Sequence, residues 1–210
     1  MGFLDAHRGV NGEPFALLAP PEEAPFFLKQ VFSCLIAIGL AENDARSAGA
    51  ALGWTREELL EIARRFAPET LGELTQRPQP EEIEFDEEEE QLRALLERCR
   101  ADGSRETDWL VSALARRALC ANHLWQDLGF PSRDLLNELM RERFPELATR
   151  NANNMKWKKF FYRCLCELEG FTLCAAPSCA ECPDHAACFG EETGLARMSS
   201  DQRAEPPRAS

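Results

Sequence analysis

No stretch of this chain alternates apolar and polar residues as a half-buried strand does, and wherever apolar residues recur strongly they recur at the helical period. That restricts the fold to packed helices. Pro25 suits the first turn of a helix, and the apolar run from Phe26 to Leu40 follows it. Thr55 and Glu58 form a capping box before a helix that ends near Phe66. Pro68, Pro78 and Pro80 predict a linker. The acidic run EEIEFDEEEE (81–90) reads as the start of a helix favoured by the helix dipole, with Asp86 at the N-cap, Glu89 three residues on, and Leu92, Leu95, Leu96 and Cys99 as its apolar stripe. Beyond Asp102-Gly103 a long helix is expected from about Asp108 to Leu128, closed by Gly129, with Leu110, Ala113, Leu114, Ala118, Ala121, Trp125 and Leu128 facing the core. Ser132 caps another helix that stops before Pro145, and the last helix is expected from about Asn154 to Glu169, with Gly170 as its C′ residue. The expected architecture is all-α: a flexible leader (1–24), a helical domain (25–170), a C-terminal cysteine-rich metal-cluster loop (171–190) and a disordered tail (191–210). No internal repeat is visible.

A length of 210 residues allows one well-buried domain, or one domain with a small module. The net charge of −12 excludes a general binder of nucleic acid or of an anionic membrane. The longest apolar run, Val31 to Ala41, is too short to span a bilayer, and the opening MGFLDAHRGVNGEP lacks the basic and apolar stretches of a secretory signal. A cytoplasmic protein is expected. The nine cysteines are an odd number without a sign of export, which argues against a disulfide framework.

Four of those cysteines, Cys174, Cys179, Cys182 and Cys188, fall within fifteen residues at the spacing C-x4-C-x2-C-x5-C. Four thiolates so close can surround one small inorganic centre with little chain to order, and Pro177 and Pro183 stiffen the turns between them. A structural zinc site usually pairs two C-x2-C hooks, whereas here only Cys179 and Cys182 make one. The first three cysteines have the spacing of plant-type ferredoxins, although there the fourth lies much farther away. Spacing therefore favours iron–sulfur and leaves zinc open. His185, inside the loop, is either a nitrogen ligand or a solvated side chain.

Outside the motif, Cys120, His123 and Asp127 fall at i, i+3 and i+7 on the expected long helix, opposite its apolar stripe. They are either a surface His–Asp pair or a face that covers the cluster and lends it a ligand. From Leu147 to Cys166 there is no acidic residue, while Arg150, Lys156, Lys158, Lys159 and Arg163 supply five positive charges. Lys156, Lys159 and Arg163 share one helical face, which is either a merely solvated face or a strip that attracts a metal oxyanion or docks an acidic partner. Trp157, Phe160, Phe161, Cys164 and Leu168 share another, expected to face the core. Cys166 lies just off that face and could approach the cluster, whereas Cys34 and Cys99 read as core residues. No Ser/His/Asp arrangement, phosphate loop or paired catalytic carboxylates stands out, so no turnover enzyme is expected.

The stretch NHLWQDLGFPSRDLLNELMRERFPELATRNANNMKWKKFFYRCLCELEGFTLC, followed by the four-cysteine motif and CFG, strongly resembles the NifQ family. The likeness is specific from Asn122 to Gly190 and looser over LGWTREELLEIARRF. The resemblance implies a molybdenum-handling protein of nitrogen fixation. Such a protein carries an iron–sulfur cluster containing molybdenum and supplies molybdenum for the iron–molybdenum cofactor of nitrogenase. The partners it implies are molybdate or another molybdenum source, the NifEN scaffold complex and the nitrogenase iron protein. Cys174, Cys179, Cys182 and Cys188 would be the cluster ligands, with His123, Cys166 and His185 as further candidates. Soft thiolates suit iron in a sulfide cluster, and a cluster with one corner open could accept molybdenum and release it. The alternative is a zinc-stabilised interaction module that presents the basic strip.

Overall fold

A computed structural model describes residues 25–42, 47–168, 170, 182, 183, 185–192, 194, 196 and 197. The expected leader, residues 43–46 and 171–181, and the chain beyond 197 lie outside these residues. Among the described residues the chain is helical and contains no strand, and no helix is long and apolar enough to cross a membrane.

The run that looked too short for a bilayer is the central helix. α1 (Phe26–Ala41) carries no charge after Lys29 and buries Leu28, Val31, Phe32, Leu35, Ile36 and Ile38. A helix apolar on most faces must be surrounded, and α2 (Ala48–Leu52) and α3 (Arg56–Phe66) pack against it. Phe32 stacks on Phe66 with ring centroids 4.4 Å apart and meets the edge of Trp109 at 6.0 Å. Trp54, wholly buried beside them, donates its indole N–H to Trp109 O at 2.9 Å. The capping box that opens α3 is complete: Glu58 N–H donates to Thr55 Oγ1, and Thr55 N–H donates to Glu58 Oε2.

The expected proline linker is partly helical. Pro68 opens a 3-10 turn (Pro68–Thr70) that runs into α4 (Leu71–Gln76), whose Leu74 is fully buried. Proline lacks a donor that a first helical turn does not need, so it starts a helix as readily as it stops one. Pro145 does the same for α9 (Pro145–Arg150), directly after α8 (Arg133–Arg143). α5 (Glu87–Arg98) begins as expected, with Asp86 Oδ1 accepting from Glu89 N–H at 2.8 Å. Its Glu89 is nevertheless buried, with Oε2 2.8 Å from Arg116 Nε. Burial pushes the Glu89 carboxyl up, and Arg116 opposes the shift.

The single long helix expected from Asp108 to Leu128 is two helices. α6 (Arg105–Ala118) ends at a turn, and α7 (Leu124–Asp127) follows after five residues. Arg117, only 1 % exposed, donates through Nε to Asp127 O at 2.5 Å, which folds the chain back on itself. Asn122 bonds the Asp127 carboxylate through both its backbone N–H and its side-chain amide, so the intervening turn is held by side chains and not by the helical ladder. Ala121, expected in the core, is exposed. Gly129 then closes α7 at φ 72°, and a Cβ there would lie 2.8 Å from Cys34 O and from Ile38 Cβ. Both the positive φ and the close approach to α1 require glycine.

α10 (Trp157–Leu168) starts three residues later than expected, because Asn151 and Asn154 are used in the turn before it. It packs against α5, with Trp157, Phe160, Phe161 and Cys164 buried; Leu168, expected in the core, is 49 % exposed. The last described helix, α11 (His185–Phe189), is a single turn within the stretch expected to be loop.

Candidate metal centre

The turn that aims α10 is fixed from both sides. Asn151 Oδ1 accepts from Met155 N–H at 2.8 Å, and Asn151 Nδ2 donates to Met155 O at 2.9 Å. Arg133 donates to Asn154 O, Asn154 Oδ1 and Met155 O. Trp157 donates its indole N–H to Asn137 Oδ1 at 2.8 Å. On this base Lys156 N–H donates to Cys188 O at 2.8 Å, and Lys156 Nζ reaches Ala186 O at 3.4 Å. The end of the cysteine motif is therefore docked on the residue that precedes α10.

Within the motif, His185 N–H donates to Cys182 O at 3.1 Å and Gly190 N–H to Ala186 O at 2.9 Å. The His185 ring stacks on Phe189, centroids 4.7 Å apart and 22° from parallel. Cys182 and Cys188 are half-buried and in no disulfide, and Cys188 and Phe189 pack against the core. Cys174 and Cys179 lie outside the described residues. Among the described residues no three His, Cys, Asp or Glu side chains are grouped to hold a metal ion. The described half of the donor set is two soft thiols on a short, docked turn, and that chemistry fits iron or zinc.

The second cluster is reorganised by the break between α6 and α7. Cys120, His123 and Asp127 do not share a helical face: Cys120 is in the turn, His123 is the N-cap of α7, and Asp127 is fully buried at its end. His123 is also separated from Asp127 in partner. Its Nδ1 lies 3.6 Å from Glu192 Oε1, and Glu192, 6 % exposed, also lies 3.4 Å from Arg133. Glu192 is four residues beyond Cys188, so this contact ties His123 to the segment that leaves the motif. At 3.6 Å the imidazole and the carboxylate touch without a hydrogen bond, and His123 is also tied to α7 by its capping box with Gln126, whose Oε1 accepts from His123 N–H at 3.3 Å.

Asp127 accepts from Lys158 Nζ at 2.7 Å, Asn122 Nδ2 at 2.9 Å, Asn122 N–H at 3.0 Å and Arg197 at 3.1 Å. Lys158 also donates to Cys120 O at 2.6 Å. Nearby, Arg117 makes two bonds to the Glu42 carboxylate and one to Ala51 O. The Arg117 hydrogen bond holds the Glu42 carboxyl below the usual carboxylate range, against its partial burial. These groups border a polar cleft of about 1190 Å³ onto which Cys120 opens.

The basic strip is divided. Lys158 is turned inward, Arg163 donates to Glu167 at 2.8 Å, and Arg150 donates to the same carboxylate at 3.2 Å. Lys159 is exposed and Lys156 flanks α11. Cys166 is half-buried on α10, roughly 15 Å along the helix axis from Lys156, and so lies toward the end where the chain enters the cysteine-rich stretch and away from Cys188. Cys34 is half-buried and Cys99 and Cys164 are buried; burial pushes all three thiols up, Cys164 to about 11, as suits packing residues. Lys158, Arg133, Glu192 and Arg197 were not singled out in the sequence as groups that organise this region. Their partners lie tens of residues away, and only the break in charge pattern after Leu147 hinted at Lys158.

The NifQ sequence profile matches residues 31–190, which extends the likeness through the N-terminal helices and across the whole four-cysteine motif. A NifQ homolog of Sinorhizobium fredii is 39% identical over 178 residues, 83% of this chain and 77% of that protein. NifQ of Azotobacter vinelandii is 40% identical over 153 residues, 67% of this chain and 78% of that protein. NifQ of Rhodobacter capsulatus is 37% identical over 185 residues, 86% of this chain and 97% of that protein. No solved structure matches the chain. The chain belongs to the NifQ family, whose proteins are involved in nitrogen fixation.

Proposed function

We propose that this protein is a carrier, not a turnover enzyme: it holds an iron–sulfur cluster containing molybdenum as cargo and supplies the molybdenum for the iron–molybdenum cofactor of nitrogenase. The observation that carries the reading is that the family match includes the complete four-cysteine motif, whose described cysteines, Cys182 and Cys188, are half-buried thiols in no disulfide, with Cys188 on a turn docked against Lys156. Cys174, Cys179, Cys182 and Cys188 hold iron through thiolate sulfur, the soft donor that iron–sulfur centres use. His123, in contact with Glu192, stands by as a nitrogen donor. His185 is a second nitrogen donor inside the motif, and Cys166 an additional thiol toward its entrance. A donor must release what it carries, so an incomplete or mixed ligand set at one position serves transfer better than a closed one. Molybdate or another molybdenum source loads the carrier. The NifEN scaffold, acting with the nitrogenase iron protein, receives the metal.

The test is anaerobic purification with metal analysis of the wild type and of Cys188→Ala and Cys34→Ala. The wild type should be brown and contain iron and molybdenum. Cys188→Ala should lose most of both and deliver little molybdenum to the scaffold, whereas Cys34→Ala should match the wild type. A colourless protein containing zinc would replace this reading with a zinc-stabilised interaction module. A Cys188→Ala protein with full metal and normal delivery would remove Cys188 from the ligand set.

A further inference from the structure

We propose that Glu192, Ala196 and Arg197 form a latch that holds the exit end of the cysteine motif against the helical body, with Glu192 and Arg197 as its positioning residues. The inference rests on the reading of Cys188 as a cluster ligand. Two anchors define the latch. At its start, Glu192 Oε1 lies 3.6 Å from His123 Nδ1 and 3.4 Å from Arg133. At its end, Arg197 lies 3.1 Å from both Glu42 Oε1 and Asp127 Oδ1, while the adjacent Ala196 is buried at 8 % exposure in the core.

The receiving groups do not depend on the latch. Asp127 keeps Lys158 and Asn122 as partners, and Glu42 keeps Arg117. Arg197 therefore docks on a preformed carboxylate pair, and its side chain, 34 % exposed, is the outer member of each contact. The described residues Glu192, Ala196 and Arg197 meet the body at points set by α1, α7 and α8.

The latch solves a problem set by the motif. Four thiolates from one short stretch must converge on a single centre, and every freely moving ligand lowers affinity by the entropy of ordering it. On the entrance side α10 ends at Leu168, six residues before Cys174. At the exit, the Lys156–Cys188 hydrogen bond and the packing of Phe189 act on an exposed single turn that frays easily. Tying the chain down four residues after Cys188, and again at Arg197, restricts the positions Cys188 can take before metal arrives.

The experiment uses the full-length chain with Glu192→Gln and Arg197→Ala combined, beside Arg197→Ala and Arg197→Lys alone. In metal-free protein, hydrogen exchange at the Lys156 amide should accelerate about tenfold or more in the double variant, while buried amides of α1 and α6 keep wild-type rates. Arg197→Lys, which retains the charge, should exchange more slowly than Arg197→Ala. In iron-reconstituted protein, a ferrous chelator should strip iron several-fold faster from the double variant. Wild-type exchange at Lys156 in the double variant overturns the latch. Faster exchange with unchanged iron loss overturns its role in holding the cluster. General acceleration in α1 and α6 would mean that these residues support the whole fold, and would also overturn the latch as a local device. If wild-type protein takes up no iron, the cluster reading fails, and the exchange measurement still decides whether the latch exists.

Discussion

Asp127 shows how one side chain can join three parts of this protein. Fully buried, its carboxylate receives the turn after α6 through Asn122, α10 through Lys158, and the segment beyond the cysteine motif through Arg197. A buried carboxylate persists only when its charge and lone pairs are met. Asp127→Asn leaves Lys158, itself largely buried, without its counter-charge, and should destabilise the fold by about 3 kcal/mol. Chemical denaturation should show a lower midpoint with an unchanged slope. Pairing Asp127→Asn with Lys158→Met should cost less than the sum of the two single changes, because each single change strands a partner that the double change removes.

The first turn of α6 illustrates how a helix start stores pH dependence. Ser104 is the N-cap, and Asp102 Oδ1 accepts from Ser104 N–H at 3.0 Å, from Ser104 Oγ at 2.6 Å and from Thr107 Oγ1 at 2.8 Å. These bonds, the Ser104 hydroxyl foremost, bring the Asp102 carboxyl down to about 2, with Arg143 adding a surface contribution. A carboxyl lowered in the folded state stabilises the fold above its unfolded value, and the contribution is lost as pH falls through the folded one. The window is therefore from about pH 4 down to about pH 2. The side chain is 44 % exposed, so solvent screens much of the effect. Asp102→Asn should lower stability near pH 6 and should narrow the gap to wild type near pH 3. Denaturation midpoints at the two pH values check this.

On the whole molecule, charge is unevenly distributed. The chain carries a net charge of −12, yet Lys156, just before α10, contacts the docked end of the cysteine motif and Lys159 is exposed on the first turn of α10, while Lys158 is turned inward and Arg163 is paired with Glu167. In the carrier role proposed above, an acidic protein approaching an acceptor complex needs a local positive face to set its orientation. Exposed charges act mainly on encounter rate and are screened over about 8 Å at physiological salt. Lys156→Glu with Lys159→Glu should preserve helicity, since acids suit the first turn of a helix, and should preserve iron content. It should slow transfer of molybdenum to the scaffold and weaken the salt dependence of that rate. Reduced loading with normal transfer of preloaded metal would show that the two lysines attract molybdate instead.

The features legible in the sequence are those that act over a few residues. The Thr55–Glu58 box, the Asp86 cap, the glycines at 129 and 170 and the apolar stripes of α1 and α5 each state their role within one or two helical turns, because helical neighbours are three or four positions apart. The cysteine spacing is equally local. Periodicity could not reveal that the helix after Ser104 would stop at Ala118, because the stop depends on burying Arg117 against a carbonyl ten residues away. Nor could it pair Lys158 with Asp127, 31 positions apart, or Arg197 with Asp127 and Glu42, 70 and 155 positions apart. Those partners are chosen when helices pack and a charge taken from water must find its counter-charge among whatever the packing has brought near.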